Sequence, residues 1–148
     1  MTPDSSRVLQ QSAGRLLFEM APMIGAPYAQ GTLSLIALLM IMAAQDAAQG
    51  ANVRAADNAD MRKLFGALLP LVTDDALKRK LAAAMHERDA SLDIAALDRL
   101  NAELRAMLIA LHAHVEDLPG EPARAAEKQI WGVMKASAAR RLLKLPAM

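Results

Sequence analysis

The apolar run within GTLSLIALLMIMAAQDAAQG, residues 31–50, limits what this chain can fold into more than any other feature. Between Leu33 and Ala44 one serine is the only polar side chain. Such a segment needs a cover, because apolar surface in water is unfavourable. A continuous apolar run of about 12–14 residues is shorter than the roughly 20 residues of a membrane span. We therefore predict that residues 32–49 form the central, nearly uncharged helix of a soluble bundle.

The uncharged stretch is longer than the apolar run, since no charged residue lies between Glu19 and Asp46. Its first half contains Pro22, Gly25 and Pro27, and no basic cluster flanks it to orient a span. Membrane association is therefore not expected, and peripheral association is kept as a further alternative. The opening segment lacks the basic, apolar and cleavage regions of a secretory signal, so we expect a cytoplasmic protein.

The composition favours helices over strands. Alanine and leucine contribute 32 and 23 residues, whereas Val, Ile and Thr together contribute 14. The first two residue types favour helices, and the β-branched types favour strands. A chain of 148 residues is long enough for one domain with its own core. These observations predict an all-α fold, a single-domain bundle of about six helices over residues 1–148.

Proline and glycine divide this bundle into helices whose apolar residues recur every three or four positions. We expect the first helix to end near Ala21, the apolar helix to end at Gly50 and another helix to end near Pro70. The segment LPGEP, residues 118–122, should separate the last two helices. Residues 50–58 are compatible with either a loop or a helix. Helix starts are predicted at side chains that can cap backbone amides, namely Ser5 or Ser6, Thr73 and Ser91.

One segment has the spacing of a coiled-coil seam, with intervals of three and four residues. Its members are Ile94, Leu97, Asn101, Leu104, Leu108, Leu111 and Val115. A polar residue such as Asn101 in an apolar seam can determine register and oligomeric state. The hydrophobic content of 54% also exceeds the usual 45–50%. We therefore expect a homo-oligomer, a dimer, and the residues predicted at its interface are Leu38, Ile41, Asn101, Leu104 and Leu108.

The polar segment QDAAQGANVRAADNAD, residues 45–60, directly follows the apolar run. A pocket that joins an apolar wall to fixed polar groups is typical of small-molecule sites. The alternative function is therefore binding of, or catalysis on, a small apolar ligand with a polar head group, in a pocket beside residues 32–49. Its predicted ligand-binding residues are Asp46, Arg54, Asp57 and Asn58. In the simpler interpretation, these residues pair with one another and cap helices.

No catalytic residue, metal site or cofactor is assigned from the sequence. The absence of cysteine excludes disulfides, thiolate metal sites and a cysteine nucleophile. His112 and Glu116, within HAHVED, are four residues apart and share a helix face, but a metal site needs three or four convergent ligands. His114 points elsewhere on the same helix. His86, Glu87 and Asp89 could add ligands from the preceding helix, but nothing in the spacing requires it. No nucleophile elbow, phosphate loop or dinucleotide fingerprint occurs.

The charge and aromatic content do not favour a nucleic-acid partner. The net charge is +1, and four aromatic residues are too few for a base-stacking surface among basic side chains. The expected function is therefore that of a non-catalytic helical protein, acting as a homo-oligomer in an interaction or scaffold role.

Overall fold

A computed structural model describes residues 4–142, and it is 84% helical with no strand in that range. The predicted all-α class is confirmed. The α-helices of the described residues are α1 (Ser5–Arg15), α2 (Pro27–Leu68), α3 (Asp75–Ala84), α4 (Ile94–Glu116) and α5 (Glu121–Arg140). A π-helical turn at Leu16–Met20 and short 3-10 turns at Ala21–Met23 and Leu69–Leu71 extend the ends of α1 and α2.

Helix α2 corrects the prediction that the apolar helix ends at Gly50. It continues without interruption for 42 residues. Residues 45–60 contain six alanines, and this strong helix propensity outweighs the cost of roughly 1 kcal/mol for one interior glycine. The polar side chains of Asp57 and Asn58 bond to other helices instead of competing for their own backbone. One helix therefore stands where two were predicted.

Three helices begin at an aspartate and not at the predicted hydroxyl residue. The carboxylates of Asp4, Asp74 and Asp93 accept hydrogen bonds from backbone N–H groups in the first turns of α1, α3 and α4, at 2.8–3.1 Å. A carboxylate also suits the positive end of the helix dipole, which a hydroxyl does not. The predicted starts are therefore displaced by one or two residues.

The predicted break at residues 118–122 is confirmed. Gly120 precedes α5 with a φ of +93°, a conformation that glycine adopts without the steric penalty of other residues. The chain reverses there, and α4 and α5 pack against each other. This turn positions the polar side chains of α5 described below.

The chain divides into two compact units, and the division falls within α2 after Gly50. In the first, described for residues 4–50, α1 packs on one side of α2. Ala13, Ala37 and Ile41 form a small core there, with Leu16, Leu17 and Met40 packed against it. The single-domain organisation of residues 1–148 stays a prediction.

The second unit, residues 51–142, contains the larger core. The second half of α2 packs there with α3, α4 and α5. The predicted seam of α4 is its buried face from Leu97 to Val115, whereas the first predicted member, Ile94, is exposed. Fourteen buried residues form this core: Met61, Leu64, Phe65, Leu68, Val72, Leu81, Ala84, Leu104, Leu108, Leu111, Val115, Ala123, Ala126 and Ile130.

Candidate functional site

The second unit contains a buried carboxylate surrounded by arginines. Asp57, on α2, is 2% exposed. Its carboxylate accepts hydrogen bonds from the hydroxyl of Ser137 at 2.9 Å, from Nη1 of Arg140 at 2.8 Å and from Nη1 of Arg141. Nη2 of Arg105, on α4, lies 3.8 Å from the same carboxylate. These five residues, which we name the Asp57 cluster, join α2 to α4 and to the end of α5.

The hydrogen-bond donors around Asp57 keep its carboxyl group ionised. Burial raises the pKa of its carboxyl, but the hydrogen bonds from Arg141, Arg140 and Ser137 outweigh burial and leave the pKa below its ordinary value. Asp60, one helical turn further along α2, pairs with Nη2 of Arg140. Its hydrogen bond to Arg140, together with that of Asp57, raises the pKa of this guanidinium. A carboxylate with a depressed pKa and several fixed donors is a poor general base near neutral pH.

Two buried amides extend the cluster along α2 and α4. Nε of Arg105 donates a hydrogen bond to Oδ1 of Asn101 at 2.7 Å. Nδ2 of Asn101 donates in turn to Oδ1 of Asn58 at 2.9 Å. Asn58 in turn donates to Asp89 at 3.3 Å. Asp89 also pairs with Arg62 at 2.7 Å. Hydrogen bonds therefore link the Asp57 cluster to the loop between α3 and α4.

An open cleft of about 200 Å³ adjoins the cluster. Its polar end carries Asp57, Arg105, Ser137 and Arg141. Its walls are apolar, formed by Met61, Leu108, Val133, Met134 and Ala138. The arrangement combines an apolar wall with convergent polar groups, as small-molecule sites do, at a volume below the usual range of about 300–1,000 Å³.

The four residues predicted for ligand binding occupy different places along α2. Asp57 lines the cleft, and Asn58 is buried in the network beside it. Nε of Arg54 pairs with Asp98 of α4 at 2.6 Å, outside the cleft lining. Asp46 lies eleven residues before Asp57 on the same helix, among the residues of the first unit. The structure brings Asp57 and Asn58 into one network and does not add Asp46 or Arg54 to the cleft.

Sequence reasoning missed the partners of Asp57. Arg105, Ser137, Arg140 and Arg141 lie between 48 and 84 residues away along the chain, and no local pattern connects them to α2. The adjacent arginines at the end of α5 were a signal, but a basic last turn is also explained by the helix dipole. Only the packing of the helices pairs these charges.

The residues predicted at a subunit interface also separate into two groups. Asn101, Leu104 and Leu108 are buried among the chain's own helices, and Ile41 packs against α1. Leu38 is exposed on α2. A three-and-four spacing indicates that a helix face is covered, but it does not distinguish a helix of the same chain from one of a second chain.

Among the residues that the structure describes, the first half of α2 presents an uncovered apolar surface. One side of it, containing Ala37 and Ile41, packs against α1. The other sides remain exposed, although their side chains are large and apolar. The exposed members, which we name the outer face of α2, are Tyr28, Leu35, Ile36, Leu38, Leu39 and Met42. A helix that is apolar on all sides is normally covered on all sides.

By length and composition alone, one helix among the described residues could cross a membrane, namely Pro27–Leu71. Its most apolar window of 18 residues has a mean hydropathy of 1.6, and 17% of that window is buried. The hydroxyls of Thr32 and Ser34 donate to the carbonyls of Tyr28 and Gln30, so these polar groups are satisfied within the helix. Little of this window is therefore buried within the isolated chain.

Comparison with known proteins gives no relative. No protein-family model, curated protein or solved structure matches the chain.

Proposed function

We propose that this protein acts as a non-catalytic homo-oligomer, a dimer, that self-associates through the outer face of α2. The observation that carries the proposal is the apolar surface of α2 that no residue within 4–142 covers. Pairing of two copies would remove these side chains from water, which is the main favourable term in association. It would also make residues 32–49 the central helix of an assembly.

The spacing of the outer face supports a second copy as the occupant. Tyr28, Leu35 and Met42 are seven residues apart, and Leu39 is four residues after Leu35. This heptad spacing keeps one stripe directed at a neighbouring helix. Two copies related by a two-fold axis present the same patch to each other, so one stripe serves both sides of the interface. The lack of charge between Glu19 and Asp46 means that no like charges oppose this pairing.

The arrangement of α1 argues against insertion of this unit across a bilayer. Helix α1 packs beside the apolar segment, and its charged residues Arg7 and Arg15 are exposed. If α2 spanned the membrane with α1 in place, these side chains would lie at bilayer depth. Each would cost about 2.5–3.5 kcal/mol at the centre on insertion scales. Peripheral association of the outer face with a membrane surface remains the further alternative.

Self-association is tested by substitution of Leu39 with glutamate. The wild-type protein should sediment at micromolar concentration with about twice the mass of the 15.9 kDa chain. Leu39→Glu should sediment as a monomer, because it places a carboxylate in the centre of the apolar face of each subunit. The matched control is Ala47→Glu, an exposed alanine of the same helix outside the outer face, which should leave the mass unchanged.

Two results would overturn the proposal. One is a wild-type chain that sediments as a monomer throughout the micromolar range. The other is dimerisation that Leu39→Glu does not weaken. A monomer that cosediments with phospholipid vesicles, and loses this property in Leu39→Glu, would identify the membrane surface as the occupant instead.

The cleft beside the Asp57 cluster favours a second candidate function, binding of a small apolar molecule with an anionic head. The Asp57 cluster and Asp60, which pairs with Arg140, together carry a net charge of +1, so an anion would balance them. The apolar walls suit a short hydrocarbon chain. Octanoate should therefore raise the melting temperature of the wild-type protein, as a ligand of the native state does. A melting temperature unaffected by millimolar octanoate would refute this function.

A further inference from the structure

We propose that His112, Glu116 and Glu127 form a binding site for a divalent first-row transition-metal ion. The site lies between α4 and α5 in the second unit, and it is independent of the self-association proposed above. One ligand atom from each of the three side chains lies within 4.8 Å of the other two. Three protein ligands would leave at least one coordination position open, as in zinc sites that retain a water molecule.

Two ligands of the proposed site lie on α4 and the third lies on α5. His112 and Glu116 are four residues apart and share a face of α4. Glu127 lies on α5, four residues before Trp131, whose ring meets the imidazole of His112 edge to face at 5.8 Å. The aromatic contact therefore fixes the imidazole beside the position of Glu127. The sequence identified the pair on α4 but not Glu127. This third side chain reaches the pair only because the chain reverses at Gly120 and α5 packs alongside α4.

The state of the imidazole is the second, independent observation. Nε2 of His112 is shielded from solvent and has no hydrogen-bond partner among the described residues. Its distance of 3.6 Å to Oε1 of Glu116 is too long for a hydrogen bond. That distance is close to the roughly 3.4 Å that separates two ligand atoms of a tetrahedral metal with bonds of about 2.0–2.1 Å. A metal ion would satisfy this nitrogen with a modest rotation of the exposed Glu116.

The other histidine of HAHVED has a different role. Nε2 of His114 lies 3.2 Å from the backbone nitrogen of Thr73 and accepts its hydrogen bond. Asp89, on the loop before α4, is engaged by Arg62 and Asn58. Within residues 4–142, the set of side chains that could hold a metal ion is therefore His112, Glu116 and Glu127, and it includes neither His114 nor Asp89.

The donor set selects the class of ion. One imidazole nitrogen and two carboxylate oxygens suit Zn²⁺, Ni²⁺ and Cu²⁺, whereas Mg²⁺ and Ca²⁺ prefer oxygen ligands alone. The two carboxylates would also balance the charge of a divalent ion.

The single tryptophan of the chain reports on this site directly. Titration of the tag-free protein with Ni²⁺, a paramagnetic quencher, should reduce the fluorescence of Trp131 in a saturable manner with one ion per chain. Zn²⁺ should displace Ni²⁺ and restore the fluorescence, and Mg²⁺ should have no effect. Glu116→Gln and Glu127→Gln should each weaken binding at least about tenfold, since even the loss of an outer-shell partner costs that much.

The matched controls separate this site from adventitious surface binding. Glu121→Gln changes an exposed glutamate that pairs with Arg124, and His86→Ala removes an exposed histidine. Both should bind Ni²⁺ as the wild type does. The glutamine variants keep the size of the side chain, so a circular dichroism spectrum like that of the wild type excludes loss of folding as the cause of weaker binding. Absence of saturable quenching below millimolar Ni²⁺, or equal quenching in all variants, would overturn the proposal.

Discussion

Substitution of Asp57 by asparagine tests the energetic role of the Asp57 cluster. The change keeps the shape of the side chain and one acceptor oxygen, but it removes the negative charge. The new amide group would then direct N–H donors at the guanidinium groups of Arg140 and Arg141. The expected result is a destabilised second unit, because two charge-assisted hydrogen bonds to a buried carboxylate are lost.

The expected loss of unfolding free energy depends on how deeply Asp57 and its arginine partners are buried. Removal of one partner of a fully buried ion pair costs about 3–5 kcal/mol. Here Asp57 is buried, but the side chains of Arg140 and Arg141 are 30% and 40% exposed. Water can therefore solvate part of each guanidinium, and Asp60 still pairs with Arg140. We expect Asp57→Asn to lower the free energy of unfolding by about 2–3 kcal/mol.

The pH dependence has a defined sign. Because the pKa of Asp57 is lower in the folded protein than in the unfolded chain, ionisation of this group stabilises the native state above about pH 4. That contribution is lost as the pH falls through the folded-state pKa. The difference between wild type and Asp57→Asn should therefore be constant between about pH 5 and 8 and decrease below about pH 4.

Urea unfolding followed by the fluorescence of Trp131 measures this difference within the second unit. With a slope of about 1–3 kcal/mol per molar urea, the midpoint should fall by roughly 1 M. The matched control is Asp98→Asn, the same change at a carboxylate that is 55% exposed and pairs with Arg54, where a loss below about 1 kcal/mol is expected. If Asp57→Asn unfolds at the wild-type midpoint, or loses no more than Asp98→Asn, the reasoning is refuted.

Two further predictions concern the core and the backbone, and both are checked by the same urea measurement. Leu111→Ala, at a fully buried position, should cost about 2–5 kcal/mol, whereas Ile109→Ala, at an exposed position of the same helix, should change stability by less than about 0.5 kcal/mol. Gly132→Ala should stabilise α5 by roughly 0.5–1 kcal/mol, because a Cβ there would meet none of the described residues within 4 Å. Gly120→Ala should destabilise the protein, since its φ of +93° is unfavourable for alanine. Equal changes in stability for Leu111→Ala and Ile109→Ala, or for Gly132→Ala and Gly120→Ala, would contradict these predictions.

The all-α class followed from the sequence because it depends on local properties. An excess of alanine and leucine, and apolar residues at helical spacing, act within a few residues of one another. The same local signal identified the buried face of α4 from Leu97 to Val115. It was wrong at Gly50, where the alanines on both sides outweighed one helix-breaking residue. Local patterns gave the starts of α1, α3 and α4 to within one or two residues, but they placed the start of the apolar helix at residue 32, five residues after the actual start at Pro27.

The candidate sites depend on the tertiary structure. Asp57 is buried only because α4 and α5 place three arginines and a serine around it, and these residues are distant in the sequence. Glu127 joins His112 and Glu116 only because the chain reverses at Gly120. In each case the interacting groups lie on different helices.

By itself, the sequence determined that the chain forms helices and that one helix carries a nearly uncharged apolar run. Both properties reside in residue types and their spacing. Only the tertiary structure decided which charges pair, where a cleft opens and which apolar side chains remain exposed. Those outcomes require that segments dozens of residues apart meet, and helical periodicity reports which face is covered but not what covers it.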